Sequence, residues 1–148
     1  MNIAVLGIGH MGYPMARRLC EAGHVIQVWN RTREKAERLA EFGATVHEHA
    51  ADAVRLADFV VCLLEDGRVV GDVLFSTGVA QAMHQDALVI DMSSIQPSEA
   101  RDHAARLSKL GISHLDAPVS GGTLGAEQGT LAIMVGGTAA DFERAQPL

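Results

Sequence analysis

The stretch "VLGIGHMGYPMARRL", residues 5–19, decides the fold of this 148-residue chain. It places Gly7, Gly9 and Gly12 in G-x-G-x-x-G spacing, directly after an apolar strand and at the start of a helix. In that context the first glycine allows a tight turn, the second lets a pyrophosphate approach the backbone, and the third lets helix and strand pack closely. The free N–H groups around His10 and Met11 would then face the phosphates. The stretch therefore predicts a dinucleotide-binding turn over residues 7–12.

Short β-rich runs alternate with helical runs along the rest of the chain. We expect strands at residues 2–6, 25–29, 45–46, 58–63, 87–91, 113–116 and 131–135. We expect helices at about 11–22, 33–42, 50–56, 68–74 and 97–110, and one that begins near residue 139. Apolar runs such as "FVVCLL" and "ALVID" are typical of strands buried on both faces of a parallel sheet. The order predicts an α/β fold with a doubly wound, mostly parallel sheet.

Composition limits the classes of partner. With 48% hydrophobic and 20% charged residues, the chain is typical of one globular domain spanning residues 1–148. A net charge of -6 argues against nucleic-acid binding, which needs clustered Lys and Arg. The sequence has no apolar run long enough to span a membrane and no signal-peptide pattern, so we expect a cytoplasmic protein. Cys20 and Cys62 match no metal-binding spacing, and we expect no metal site.

The end of the second predicted strand, "VWNRTREKA" at residues 28–36, bears on the choice of cofactor. A fold that selects NAD usually has Asp or Glu here, which binds the ribose hydroxyls and repels a 2′-phosphate. This chain has Asn30, Arg31, Thr32 and Arg33 instead. A neutral amide beside guanidinium groups suits a phosphate dianion. The residues favour NADP over NAD, although Arg31 and Arg33 also fit a solvated helix face.

Two further segments follow predicted strands and would reach the same crevice. In "LLEDG", residues 63–67, Leu64 and Glu65 are expected to border the nicotinamide ribose. In "DMSSIQP", residues 91–97, Ser93 and Ser94 supply hydroxyl and N–H groups near the ring. Taken alone, the second segment fits a helix-capping Ser/Pro turn equally well. Convergence of the strand ends favours cofactor binding.

The glycine-rich segment "DAPVSGGTLGAEQGTLAIMVGG", residues 116–137, suggests a second ligand. Ser120, Gly121 and Gly122 would expose backbone N–H groups with little side-chain obstruction, which suits a carboxylate. The hydroxyl of Ser120 or Thr123 would add a hydrogen bond. The alternative is a mobile hairpin loop, and we expect the later glycines, Gly125 and Gly129, to shape a loop.

The final segment, "GGTAADFERAQPL" at residues 136–148, predicts a helix with Thr138 and Asp141 in a capping-box arrangement. We expect this helix to stop after about two turns with nothing packed against its apolar face. An exposed apolar face favours association with another copy through Phe142, or poor order after Gly137.

Four segments in order, residues 7–36, 63–75, 89–97 and 116–137, resemble the signatures of the β-hydroxyacid dehydrogenases. The resemblance implies a Rossmann domain followed by an all-helical domain that completes the site and forms a dimer or tetramer. It also implies reversible hydride transfer between NAD(P) and a 3-hydroxy acid or its semialdehyde. By motif, the resemblance implies that the pyrophosphate is contacted by Gly7, Ile8, Gly9, His10, Met11 and Gly12, and the adenosine ribose by Asn30, Arg31, Thr32 and Arg33. It implies that the nicotinamide half is contacted by Leu64, Glu65 and Ser94, and the substrate carboxylate by Ser120, Gly121 and Gly122.

Two departures from the family pattern matter. Relatives commonly have Leu-Pro where this chain has Leu64-Glu65. The family's catalytic lysine, the general acid for the developing alkoxide, lies in a G-x-x-x-K-type motif on the long helix after this domain. The last lysine here is Lys109, inside a predicted surface helix, and no other residue replaces the missing one. We therefore expect a chain truncated at the start of the interdomain helix, with no catalytic residue of its own, that binds cofactor with little or no turnover.

Two alternatives remain open at this stage. Imine reductases share the N-terminal motifs but reduce C=N with a different residue in place of the lysine. A non-catalytic cofactor-binding or interaction module would have lost the lysine. The sequence does not identify which hydroxy acid or semialdehyde is the substrate.

Overall fold

Six parallel strands form the main sheet of the computed structural model, which describes all residues from 1 to 148. They are β1 (Asn2–Leu6), β2 (Val25–Trp29), β3 (Thr45–Val46), β4 (Phe59–Cys62), β5 (Leu88–Asp91) and β6 (Ser113–Asp116). Their spatial order is β3-β2-β1-β4-β5-β6, and every neighbouring pair is parallel. The order in which the strands follow along the chain changes direction across the sheet between β1 and β4. In folds of this type, ligands bind in the crevice beside the carboxyl ends of the strands at such a point. The predicted doubly wound Rossmann fold is confirmed.

Helices cover both faces of this sheet because successive strand residues alternate between two apolar clusters. Ala4, Val60 and Val89 belong to one cluster, whereas Val5, Val61 and Ile90 belong to the other. The first cluster packs under α3 (Ala50–Val54), α4 (Gly67–Gly71), α5 (Val79–Ala82) and α6 (Pro97–Ser108). The second packs under α1 (Gly12–Glu21) and α2 (Arg33–Glu37). Burial of Cys62 in the first cluster agrees with its expected role as a small core residue.

Two predicted helices are interrupted. The one expected over residues 33–42 divides into α2 and a 3₁₀ turn, Ala40–Phe42, which ends at Gly43 in a left-handed conformation. The one expected over residues 68–74 begins earlier, because the Asp66 carboxylate accepts the Val69 N–H at 2.8 Å, and it continues as a π-helical turn, Asp72–Ser76. Helix α5 was not predicted from the sequence.

The glycine-rich segment differs most from its prediction. Its strands, β7 (Val119–Ser120) and β8 (Ala132–Ile133), form a separate antiparallel hairpin, so the strand expected over 131–135 has only two residues. The loop expected around Gly125 is wrong, because α7 (Gly122–Gln128) occupies that position. Helix α7 forms because Gly125 and Ala126 are buried and the Arg18 guanidinium donates to the Glu127 carbonyl at 3.2 Å.

The last helix, α8 (Ala139–Ala145), has the predicted cap, since the Thr138 hydroxyl accepts the Asp141 N–H at 3.1 Å. The expectation that nothing packs against this helix is wrong. Ala145 and Leu148 pack onto the second apolar cluster, and Phe142 remains 45% exposed. Association through this surface stays a prediction. None of the helices has the length and hydropathy that crossing a membrane would require.

Candidate dinucleotide-binding site

The three glycines of the turn after β1 have different surroundings. A Cβ on Gly7 would overlap the carbonyl oxygen of Leu63, and Gly7 itself has a φ of 104°, which favours glycine. A Cβ on Gly12 would overlap the carbonyl oxygen of Gly7. A Cβ on Gly9 would meet no atom within 4 Å. Gly7 and Gly12 therefore serve close packing within the protein, whereas Gly9 leaves open space beside an exposed backbone.

The start of α1 has unused hydrogen-bond donors. The backbone N–H groups of Gly9, His10 and Met11 donate no hydrogen bond within the protein. No side chain caps α1, and its first turn carries no acidic residue. Free N–H groups and the positive end of a ten-residue helix attract anions. The turn thus fits the pyrophosphate of a dinucleotide, with the open side of Gly9 as the approach.

Asn30, which directly follows β2, stabilises this turn through its side-chain amide. Its Oδ1 accepts the Ile8 N–H at 2.9 Å, and its Nδ2 donates to the Thr32 carbonyl at 2.8 Å. The Ile8 N–H is therefore not free for the phosphates, unlike the amides that follow it. Each end of the Asn30 amide makes one hydrogen bond within the protein, and the second Nδ2 hydrogen is not used there, so contact with the adenosine ribose stays a prediction.

The two arginines after β2 also differ. The Arg33 guanidinium binds the Glu37 carboxylate at 2.9 Å along α2, and both side chains are about half exposed. Arg31 is exposed and has no salt bridge or side-chain hydrogen bond. Arg31 is thus the guanidinium that a phosphate at this edge can engage without breaking an existing ion pair.

A hydrogen bond joins the loops that follow β4 and β5. The Leu64 N–H donates to Ser93 Oγ at 3.0 Å, and the Ser93 N–H donates to Asp91 Oδ1 at 3.0 Å. Ser93 is only 3% exposed. Its hydroxyl is consequently not available to a ligand, which corrects the prediction of a direct contact. Ser94 and Glu65 are exposed on the same loops and remain candidates for contact.

Asp91 is the residue of this site that sequence reasoning missed. It is 0% exposed at the end of β5, and burial raises the pKa of its carboxyl to about 6, against hydrogen bonds from Ser93 that lower it. Its Oδ2 has no hydrogen-bond partner. An Asp that ends an apolar strand and precedes Ser by two residues is a recognisable turn signal. That signal would have identified the residue.

The predicted substrate-binding residues lie beyond β6, at the same edge of the sheet. Ser120, Gly121, Gly122 and Thr123 are all exposed. Gly121 has a φ of 135°, and its N–H makes no hydrogen bond within the protein. The segment is the junction between β7 and α7 rather than a loop. It still presents the free amide of Gly121.

Residues 2–148 match the family model described as the NAD binding domain of 6-phosphogluconate dehydrogenase. The chain is 41% identical to 2-hydroxy-3-oxopropionate reductase of Escherichia coli, over 100% of this chain and 51% of that protein. It superposes on the structure of Mycobacterium tuberculosis 3-hydroxyisobutyrate dehydrogenase with L-serine at a TM-score of 0.94. That match has 41% identity and covers 98% of this chain and 49% of the other.

Imine reductases share the fold at lower identity. The imine reductase from Myxococcus stipitatus in complex with NADP+ superposes at a TM-score of 0.90 with 28% identity, covering 99% of this chain and 50% of the other. Its V8 variant in complex with NAD+ gives 0.92 with 26% identity and the same coverage. The chain thus corresponds to about half the length of each protein that it matches here.

Proposed function

Because the chain belongs to the family of 6-phosphogluconate dehydrogenase NAD-binding domains, and resembles the β-hydroxyacid dehydrogenases within it, we propose that residues 1–148 form the cofactor domain of an NADP-dependent oxidoreductase. The reaction is hydride transfer between the cofactor and a small 3-hydroxy acid or its semialdehyde. One observation carries the proposal: after β1, beside the β1–β4 pair, the amides of Gly9, His10 and Met11 make no hydrogen bond within the protein, and Gly9 has open space where a Cβ would lie.

Each part of the site has a separate task in this proposal. The amides at the start of α1 bind the pyrophosphate, and Leu64, Glu65 and Ser94 border the nicotinamide half. The N–H of Gly121 and the hydroxyls of Ser120 and Thr123 hold the substrate carboxylate. When bound, NADPH supplies the hydride. The proton comes from a lysine in the half of the relatives that this chain does not match, where the family resemblance places it.

The preference for NADP rests on the charges at the end of β2. Asn30 carries no negative charge that would repel a 2′-phosphate, and the Arg31 guanidinium has no partner within the protein. Charge-assisted hydrogen bonds from a planar guanidinium suit phosphate oxygens. Arg33 is a weaker candidate because the Glu37 carboxylate already neutralises it. Imine reductase structures are known with NADP+ and with NAD+, so we infer the preference from this chain's own residues and not from its relatives.

Isothermal titration of residues 1–148 with NADPH and NADH tests the proposal. One added charge-assisted hydrogen bond predicts that NADPH binds about 10-fold or more tightly than NADH. Equal affinities would overturn the preference for NADP but keep the dinucleotide site. A chain that binds neither dinucleotide would overturn the proposal as a whole.

Imine reduction is the second candidate, favoured by the likeness to the imine reductase structures. Activity assays on a protein of the relatives' full length that contains this domain would separate the two reactions. If that protein reduces a small semialdehyde that carries a carboxylate, we expect Lys in the long helix after the domain. If it reduces a cyclic imine, we expect Asp or Tyr at that place. An apolar residue with no turnover of either would indicate a non-catalytic module.

We also propose that the whole protein forms a dimer or tetramer, which analytical ultracentrifugation would test.

A further inference from the structure

Three groups form a chain of hydrogen bonds beneath the cofactor crevice. The Leu64 N–H donates to the Ser93 hydroxyl oxygen, and the Ser93 N–H donates to the Asp91 carboxylate, both at 3.0 Å. The chain of hydrogen bonds ties the end of β4 to the end of β5.

Leu64 connects these hydrogen bonds to the glycine turn. The Leu63 carbonyl and the Leu64 side chain lie directly against Gly7. Gly7 in turn donates its N–H to the Trp29 carbonyl at 2.9 Å, which fixes the turn to β2. The position of the Leu64 backbone therefore sets how the loop after β4 meets the dinucleotide turn.

A carboxylate is a costly residue for this place in the fold. The Asn side chain would close the same turn by accepting the Ser93 N–H, without a charge to bury. Asp91 is fully buried, its Oδ2 has no partner, and the carboxylates of Asp116 and Glu99 oppose its ionisation. A purely structural turn does not require these disadvantages, since buried charges are often replaceable by neutral groups without loss of stability.

We propose that Asp91 is the positioning residue for the nicotinamide half of the cofactor site. By accepting the Ser93 N–H, Asp91 holds Ser93 in place, and the Ser93 hydroxyl oxygen in turn holds the Leu64 amide. The loop 64–65 is thereby kept in the orientation that meets the cofactor. This inference rests on the proposed function. A carboxylate accepts the Ser93 N–H more strongly than a neutral amide oxygen does. The adenosine half depends on Arg31 and the α1 amides, which this chain of hydrogen bonds does not touch.

The test compares two probes on the chain of residues 1–148. NADPH spans both halves of the site, whereas adenosine 2′,5′-bisphosphate lacks the nicotinamide half. The variants are Asp91→Asn and Ser93→Ala. The matched control is Asp58→Asn, because Asp58 also accepts a backbone N–H, that of Asn2 at 2.9 Å, but at the amino-terminal edge of the sheet.

Asp91→Asn weakens the hydrogen bond from the Ser93 N–H, and Ser93→Ala removes the one from the Leu64 N–H, so both variants should bind NADPH about 3- to 10-fold more weakly. Both should bind the bisphosphate within about 2-fold of the unmodified chain, a change no larger than a few tenths of a kcal/mol. The control should bind both probes like the unmodified chain. Hydrogen exchange by NMR gives a readout without ligand: the Leu64 amide should exchange faster in both variants and not in the control.

Other outcomes overturn the inference in distinguishable ways. Variants that bind NADPH as tightly as the unmodified chain show that Asp91 does not position the site. Equal weakening of both probes shows a general effect on the fold, which also overturns it. An unmodified chain that binds neither probe overturns the proposed function together with this inference. If Ser93→Ala fails to fold, Asp91→Asn decides the question alone, because it keeps the size and one acceptor of the native side chain.

Discussion

Replacing Asp91 by Asn should stabilise the protein relative to the unmodified chain, by an amount that grows as the pH rises. Burial raises the Asp91 pKa from 3.8 to about 6, so the folded state holds this proton more tightly than the unfolded chain. The stability that protonated Asp91 provides is full below about pH 4 and is lost as pH rises through 6. Because a difference of one between two pKa values corresponds to about 1.4 kcal/mol, ionised Asp91 costs the folded state about 3 kcal/mol at pH 7. The Asp91→Asn variant would avoid that cost.

Urea unfolding followed by the fluorescence of Trp29, the single tryptophan, measures both proteins between pH 4 and 8. The difference in unfolding free energy, variant minus unmodified chain, should increase by about 3 kcal/mol from pH 4 to pH 7 and then stay level. Other titrating groups are present in both proteins and largely cancel in the difference. A difference that does not change with pH would refute the reasoning, because Asp91 would then titrate alike in the folded and unfolded chains.

Three further predictions concern the dinucleotide turn, the cofactor preference and acid stability. Gly9→Ala should change the unfolding free energy by less than about 0.5 kcal/mol yet weaken NADPH binding more than about 10-fold. Gly12→Ala should lower the unfolding free energy by about 3 kcal/mol. Equal urea midpoints for the two variants would contradict this difference. Arg31→Ala should weaken NADPH binding about 10-fold and leave NADH binding unchanged. The control Lys35→Ala removes the same charge nearby and should affect neither affinity. An equal loss of NADPH binding in both variants would show that Arg31 acts only by long-range electrostatic attraction of the cofactor. Burial lowers the His114 pKa to about 4, so the unfolded chain takes up this proton first as pH falls from 6.5. The unmodified chain should therefore lose up to about 3 kcal/mol relative to His114→Gln between pH 6.5 and 4, and parallel stability curves would exclude that role.

The sequence was sufficient for the parts of the fold that local rules control. The spacing of Gly7, Gly9 and Gly12 predicted the turn because close packing and an open approach each require glycine at a fixed place. Apolar runs predicted the buried parallel strands because both sheet faces are covered by helices. The family resemblance was also confirmed.

Tertiary contacts decided what the sequence did not reveal. Helix α7 forms in a glycine-rich segment with weak helix propensity because Gly125 and Ala126 are buried and Arg18 binds its last turn. Ser93 looked like a ligand contact, but its hydroxyl oxygen accepts the N–H of Leu64, 29 positions away in sequence, and its own N–H donates to Asp91, two positions away. The direction of a side chain between two loops depends on register and packing, which no local pattern encodes.

A dinucleotide should bind on the free amides at the start of α1. Two-dimensional NMR of the 15.7 kDa chain, titrated with NADP+, tests this most directly. The amide signals of Gly9, His10 and Met11 should shift most, and those of Arg31 and Leu64 should shift with the same dissociation constant. Unchanged signals at Gly9, His10 and Met11, or shifts confined to other surfaces, would contradict the account.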